Sequence, residues 1–183
     1  MSSLQVRRLT YAALFLAIAM VLPFLIGQLP QIGSALSPMH IPVLLCGFMC
    51  GWPWGLAVGF IAPLLRSFLF KMPDMFPTAC AMACELPVYG AISGWLYAKL
   101  PRTIPMTYVV LILSMIAGRI AWGIASLFLS GISGTPFTWA IFLTGAFVKA
   151  VPGIILHIVL IPVLVIAMER AGLSLNKSEL KER

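Results

Sequence analysis

The sequence predicts an all-α integral membrane protein, a compact bundle of six transmembrane helices with both termini in the cytoplasm. Three observations lead there. Of 183 residues, 61% are hydrophobic and 9% charged, and the mean hydropathy is +1.05, far outside the composition of soluble domains. The apolar residues gather into long runs, and a helix needs roughly 20 residues to cross a hydrocarbon core about 30 Å thick. After connections, the length allows about six crossings in one membrane-embedded domain spanning 1–183. The cations Arg7, Arg8, Lys99, Arg102, Arg170, Lys177, Lys181 and Arg183 flank the runs, as residues that orient a chain in a bilayer do.

Segment one, 6–27, follows Arg7-Arg8 and continues into Gln28-Leu29-Pro30 without a small-x-small cleavage site. It therefore reads as a retained helix and not as a removed signal. Segment two, 38–51, is short for a crossing, so a tilted or partly re-entrant helix stays open. Gly51-Trp52-Pro53-Trp54-Gly55 makes a tight joint to segment three, 53–70, which Lys71-Met72-Pro73-Asp74 ends. Segment four covers 76–100. A short basic connection, 101–105, leads into segment five, which runs to about 130, and segment six covers 138–168. Excess lysine and arginine on the cytoplasmic side puts the N-terminal pair, the 99–102 connection and the C-terminal tail together. An even number of crossings satisfies all three, leaving 28–37, 71–77 and 131–137 outside.

A formal charge of +7 invites a nucleic-acid reading. The cations lack interleaved aromatics and form no patch, so no nucleic-acid partner is expected. Cys46/Cys50 and Cys80/Cys84 have i, i+4 spacing. They read as small packing residues without disulfides, and no metal is expected. Ala13/Ala17, Gly47/Gly51/Gly55/Gly59 and Gly90/Gly94 form small-xxx-small faces that let helix backbones approach closely. Walker loops, HExxH and GxSxG with a companion histidine are absent from the sequence. Hence no catalytic residues are assigned, the protein is not expected to be an enzyme, and no nucleotide-driven motor can be built from this chain alone.

The functional clue is the set Arg66, Glu85, Arg119 and Lys149, all inside apolar segments. Each such charge costs roughly 2.5–3.5 kcal/mol near a bilayer centre, so these residues face a bundle interior or cavity and need partners. Three cations against one anion sum to about +2, which calls for a negative ligand. By position along their segments the four fall at similar depth in the outer half. His40 joins at the rim, and Trp122, one turn from Arg119, offers an apolar or stacking wall. The competing explanation is structural: Glu85 pairs with Arg119 or Lys149 to fix helix register, and Arg66 snorkels to the outer interface.

The chain resembles the substrate-binding S components of energy-coupling factor (ECF) vitamin transporters over nearly its whole length. The likeness is carried by Ser37-Pro38-Met39-His40-Ile41-Pro42, by Gly51-Trp52-Pro53-Trp54-Gly55 with Gly59 and Pro63, by Met72-Pro73, and by Glu85-Leu86-Pro87-Val88-Tyr89-Gly90. Ala13-Leu14-Phe15-Leu16-Ala17 resembles the family's AxxxA motif, whose small face contacts the coupling subunit. The resemblance implies a multi-pass protein of a prokaryotic cell membrane, surrounded by lipid, that binds a scarce vitamin or related micronutrient outside. It would then topple to release it inside, with the first external loop helping to cap the ligand. It implies a transmembrane coupling protein and two cytoplasmic ATPases as partners. ATP is used by those subunits, and no cofactor is held by this chain. Among family substrates the cationic surplus favours pantothenate, its carboxylate on an arginine and its hydroxyls and amide near Glu85 or His40. Pyridoxine-type B6 vitamers, folates and queuosine precursors stay open. A rival is an integral membrane enzyme acting on a lipid or isoprenoid phosphate. Its weakness is that Glu85 is the single acidic side chain in the spans.

Overall fold

The computed structural model describes residues 3–25, 36–134, 138–145 and 150–176. Its helices are α1 (Ser3–Leu25), α2 (His40–Cys50), α3 (Trp52–Phe70), α4 (Cys80–Lys99), α5 (Ile104–Ser133), α6 (Trp139–Leu143) and α7 (Val151–Arg170), with a kinked lead-in to α4, Met75–Ala79, in which Phe76 is extended (φ −125, ψ 132). Five helical stretches are long and apolar enough to cross a membrane: Ser3–Leu25, Trp52–Phe70, Met75–Lys99, Ile104–Ile132 and Val151–Arg170.

The six expected crossings thus become five long spans and a short helix. With 11 residues, α2 is about 16 Å long, well short of a hydrocarbon core. Its ends are fixed by backbone geometry. Ser37 at φ 47 precedes it, and Gly51 at φ 96 follows, a conformation that glycine adopts without a Cβ penalty. Within segment six two helices are described. The Thr138 hydroxyl accepts from the Ile141 N–H to cap α6, and α7 has Pro152 in its first turn. Proline has no N–H for an i→i−4 bond, so it belongs at a helix start.

Every residue of α2 is buried, enclosed chiefly by α1, α3, α4 and α7. A buried helix must be apolar all round, and the sequence between Ile41 and Cys50 is. Its approach to α3 and α4 depends on glycine. A Cβ on Gly55 would lie 2.5 Å from the Gly90 carbonyl oxygen, one on Gly59 would lie 2.5 Å from the Leu86 oxygen, and one on Gly47 would strike the Ser93 hydroxyl and the Gly90 oxygen. The glycine face read from the sequence is therefore the α2/α3/α4 junction. Ala13 and Ala17, by contrast, lie exposed on α1, whose Ala12, Phe15, Ala19 and Met20 turn inward.

A post-helical tail ties helix ends together. The Leu175 N–H donates to the Met49 carbonyl at 2.8 Å, Asn176 Nδ2 donates to the carbonyls of Phe48 (3.3 Å) and Gly94 (3.1 Å), and Arg8 Nη2 donates to the Leu175 carbonyl at 2.8 Å. Those to Met49 and Phe48 reach the last turn of α2, whose carbonyls lack intrahelical partners. Together the bonds also put both described ends of the chain on one side of the bundle, termed here the tail end. Two of the cations expected to serve orientation do more than that. Arg8 is buried, and Arg102 pairs with Glu169 at 2.9 Å and donates to the Ser174 hydroxyl at 3.0 Å.

Gly90→Val should lower the melting temperature and the yield of monodisperse protein, since overpacking costs about 1–3 kcal/mol or more. Gly131→Ala, with nothing within 4 Å of the new Cβ, should be neutral to slightly stabilising. Asn176→Ala should cost about 1–3 kcal/mol by removing two buried hydrogen bonds, the one to Phe48 serving a carbonyl in the last turn of α2, read as faster hydrogen exchange at the end of α2.

Candidate functional site

At the end of the bundle opposite the tail, four helices converge on a buried polar cluster. α4 supplies Glu85 and Tyr89, which share a face by their i, i+4 spacing. α2 supplies His40, presented by the turn in which the His40 N–H donates to the Ser37 carbonyl at 3.1 Å. α5 supplies Arg119, and α7 supplies His157. Glu85 Oε1 lies 3.1 Å from Arg119 Nη1 and 3.3 Å from His40 Nε2, and Tyr89 is buried one turn along α4 from Glu85. The His40 ring stands edge-on to Tyr89, with centroids 5.0 Å apart, and stacks on His157 at 5.9 Å and 26°. Gly118 admits the Tyr89 ring against α5, because a Cβ there would collide with it.

His40, Glu85 and His157 are each no more than 3% exposed. Burial at this depth demands compensation, and the ion pair supplies it for charge but not for hydrogen bonding. Both ring nitrogens of His40, Glu85 Oε1, Arg119 Nε and His157 Nε2 are buried without a hydrogen-bond partner, although native proteins satisfy most such groups. The 3.1 Å approach to Arg119 is therefore an ionic contact and the 3.3 Å approach to His40 a close polar one, and neither has the angles of a hydrogen bond. A cluster with this much unused donor and acceptor capacity is suited to holding a polar guest.

The structure brings His40, Glu85 and Arg119 together. Arg66 stands apart. It is buried, donates to the Met20 carbonyl of α1, and lies over the rings of Phe24 (4.8 Å) and Phe70 (5.4 Å), fastening α3 to α1. Trp122 packs against Phe142 of α6 with centroids 6.1 Å apart, and Phe142 in turn contacts Trp139 at 5.2 Å. Lys149 falls outside the described residues. Tyr89 and His157 were not singled out as site residues from sequence. The spacing of Tyr89 from Glu85 was a usable signal, whereas His157 has no local one. The two cysteine pairs do not meet, since Cys50 ends α2 at the tail end and Cys80 opens α4 at the other. Two open apolar grooves of about 450 and 420 Å³ flank the outer half of α5, one along Cys80, Cys84 and Phe128, the other along Ile120, Trp139 and Phe142. Neither includes the charges.

Removing one member of a buried ion pair costs about 3–5 kcal/mol, whereas replacing both with apolar or neutral groups is often tolerated. Arg119→Met should therefore destabilise the protein more than the double variant Glu85→Gln/Arg119→Met, measured by thermal unfolding in detergent.

Comparison with known proteins agrees with this architecture. The family model describing the substrate-specific component of ECF transporters matches residues 7–165. No curated protein and no solved structure matches the chain. The matched region runs from the start of α1 into the last turns of α7 and contains every residue of the polar cluster, so the chain belongs to the family of ECF transporter substrate-specific components.

Proposed function

We propose that the chain captures a water-soluble micronutrient at the cluster end of the bundle, which faces outward, and that the substrate is pantothenate. The observation that carries the site is the set of buried, unpartnered polar atoms on His40, Glu85, Arg119 and His157. They offer donors for a carboxylate and amide carbonyl, and acceptors for hydroxyls. Orientation is supported by charge: Arg7, Lys99, Arg102 and Arg170 belong to the tail end, against Lys71 balanced by Asp74 at the other, which favours a cytoplasmic tail end in the cell membrane of a prokaryote. Ala13 and Ala17, exposed on α1, form the face for a transmembrane coupling protein. Two ATPases complete the module and drive toppling and release with ATP, and this chain does no chemistry of its own.

One observation favours a second substrate class. Glu85 already neutralises Arg119, and Arg66 is engaged with Met20, so among the described residues nothing is left of the surplus of about +2 inferred from sequence. The Trp122–Phe142–Trp139 stack beyond Arg119 would suit a planar ring, as in a pyridoxine-type vitamer, with folate and queuosine precursors as further ring-bearing options.

Equilibrium binding to the purified chain separates these. Tight pantothenate binding that Arg119→Met weakens at least tenfold is the expected result. Binding of pyridoxine in place of pantothenate would overturn the substrate assignment. Ala13→Trp and Ala17→Trp should leave binding within about twofold of the parent while abolishing uptake in cells that also express the coupling protein and ATPases. Uptake that survives both changes would displace the coupling face from α1.

A further inference from the structure

We infer that an anionic substrate enters this site together with a proton, taken up by the His40–His157 pair. The inference rests on the pantothenate reading for the identity of the anion and on the cluster's geometry for the rest.

The argument begins with charge balance. Glu85 and Arg119 are in contact at 3.1 Å, so with both imidazoles neutral the cluster sums to zero. An incoming carboxylate needs a cation, and within the described cluster Arg119 is the one that is permanently charged. Once Arg119 turns toward the substrate, two carboxylates share one guanidinium in a water-poor site, leaving one negative charge uncompensated. Such a charge is strongly unfavourable in a low-dielectric interior.

A proton removes the imbalance, and the geometry offers it a place. His40 Nε2 already lies 3.3 Å from Glu85 Oε1, both His40 nitrogens lack a hydrogen-bond partner, and His157, stacked on the same ring, has a free Nε2. In the occupied state Arg119 binds the substrate carboxylate, while Glu85 is neutralised by a protonated imidazole at His40. The balance is one substrate anion and one proton in, with no bond made or broken except that to the proton.

The remaining ionisable groups near His40 do not replace it. α4 contributes Glu85 and Tyr89, α5 contributes Arg119, and α7 contributes His157. α1 and α3 also pack on α2. The ionisable residues of α1 are Arg7, Arg8 and Tyr11, in its opening turns toward the tail end. The one of α3 is Arg66, whose guanidinium is taken by Met20 and two phenyl rings.

Calorimetric titration of the purified chain in buffers of different ionisation enthalpy tests this directly. Pantothenate should take up about one proton per molecule bound, and its affinity should fall by up to tenfold for each unit of rising pH wherever that uptake is observed. Pantothenol, with an alcohol in place of the carboxylate, should bind with no proton taken up. Glu85→Gln should abolish uptake with pantothenate, because the anion then finds Arg119 unopposed. If this variant fails to fold, the two-ligand comparison on the parent protein decides alone. Pantothenate binding without proton uptake, or equal uptake with pantothenol, would overturn the inference and leave the substrate assignment standing. No binding by either compound overturns the assignment and the inference with it.

Discussion

The constraint on which the site depends is the contact of α4 with α2 and α3 at bare glycine. Gly47, Gly55 and Gly90 let three backbones meet at distances where any side chain would collide with a carbonyl. Between lipid-embedded helices there is no hydrophobic driving force, so dispersion across such close surfaces has to hold them. The consequence for function is positional. Gly90 follows Tyr89 directly and lies five residues beyond Glu85, so locking Gly90 against Gly55 fixes the rotation of α4 and sets Glu85 toward His40 and Arg119. A residue with a Cβ at the junction would move the carboxylate as well as the helix.

Electrostatics then sort the intramembrane charges into different uses. Arg66 finds a backbone carbonyl and two aromatic faces, a combination that satisfies a guanidinium without any counter-charge. Arg119 finds a carboxylate. From composition both look alike, as isolated cations in apolar helices, and the +2 sum treats them as equal contributors to one pocket. The fold separates them because α3 presents Arg66 to α1, whereas α5 presents Arg119 to α4. Charge counting along a sequence therefore overstates the positive character of the site.

Much of the fold was legible because hydropathy, helix length and cation placement are local properties. The boundaries of α3, α4 and α5 lie within a few residues of those read from the sequence, and the break at Lys71–Asp74 follows from its proline and its left-handed cap at Lys71. The site was legible in part. Glu85 and Arg119 announce themselves by their cost in lipid, but a histidine in an apolar helix does not, and nothing near residue 157 indicates residue 40. Arg8 and Arg102 were misjudged for the same reason: their partners, Leu175, Ser174 and Glu169, lie more than sixty residues away.

The two polar ends of the bundle differ in a way that bears on where function resides. At the tail end, Arg8, Arg102, Ser174 and Asn176 all make hydrogen bonds to one another's neighbours or to helix-terminal carbonyls, and Glu169 accepts one. Such a network specifies a single arrangement and fastens the ends of α1, α2, α4, α5 and α7. At the opposite end, five buried polar atoms on four residues have no such bond. A purely structural network would have little reason to leave them so, because each unmade buried bond costs about 1–3 kcal/mol. The strain is tolerable if the rigid tail end holds the helices in place and a guest completes the bonding. On this view the tail end, where the Tyr97 hydroxyl is the exception to an otherwise bonded network, supplies stability and the cluster end supplies affinity, with the glycine junction between them holding the two in register.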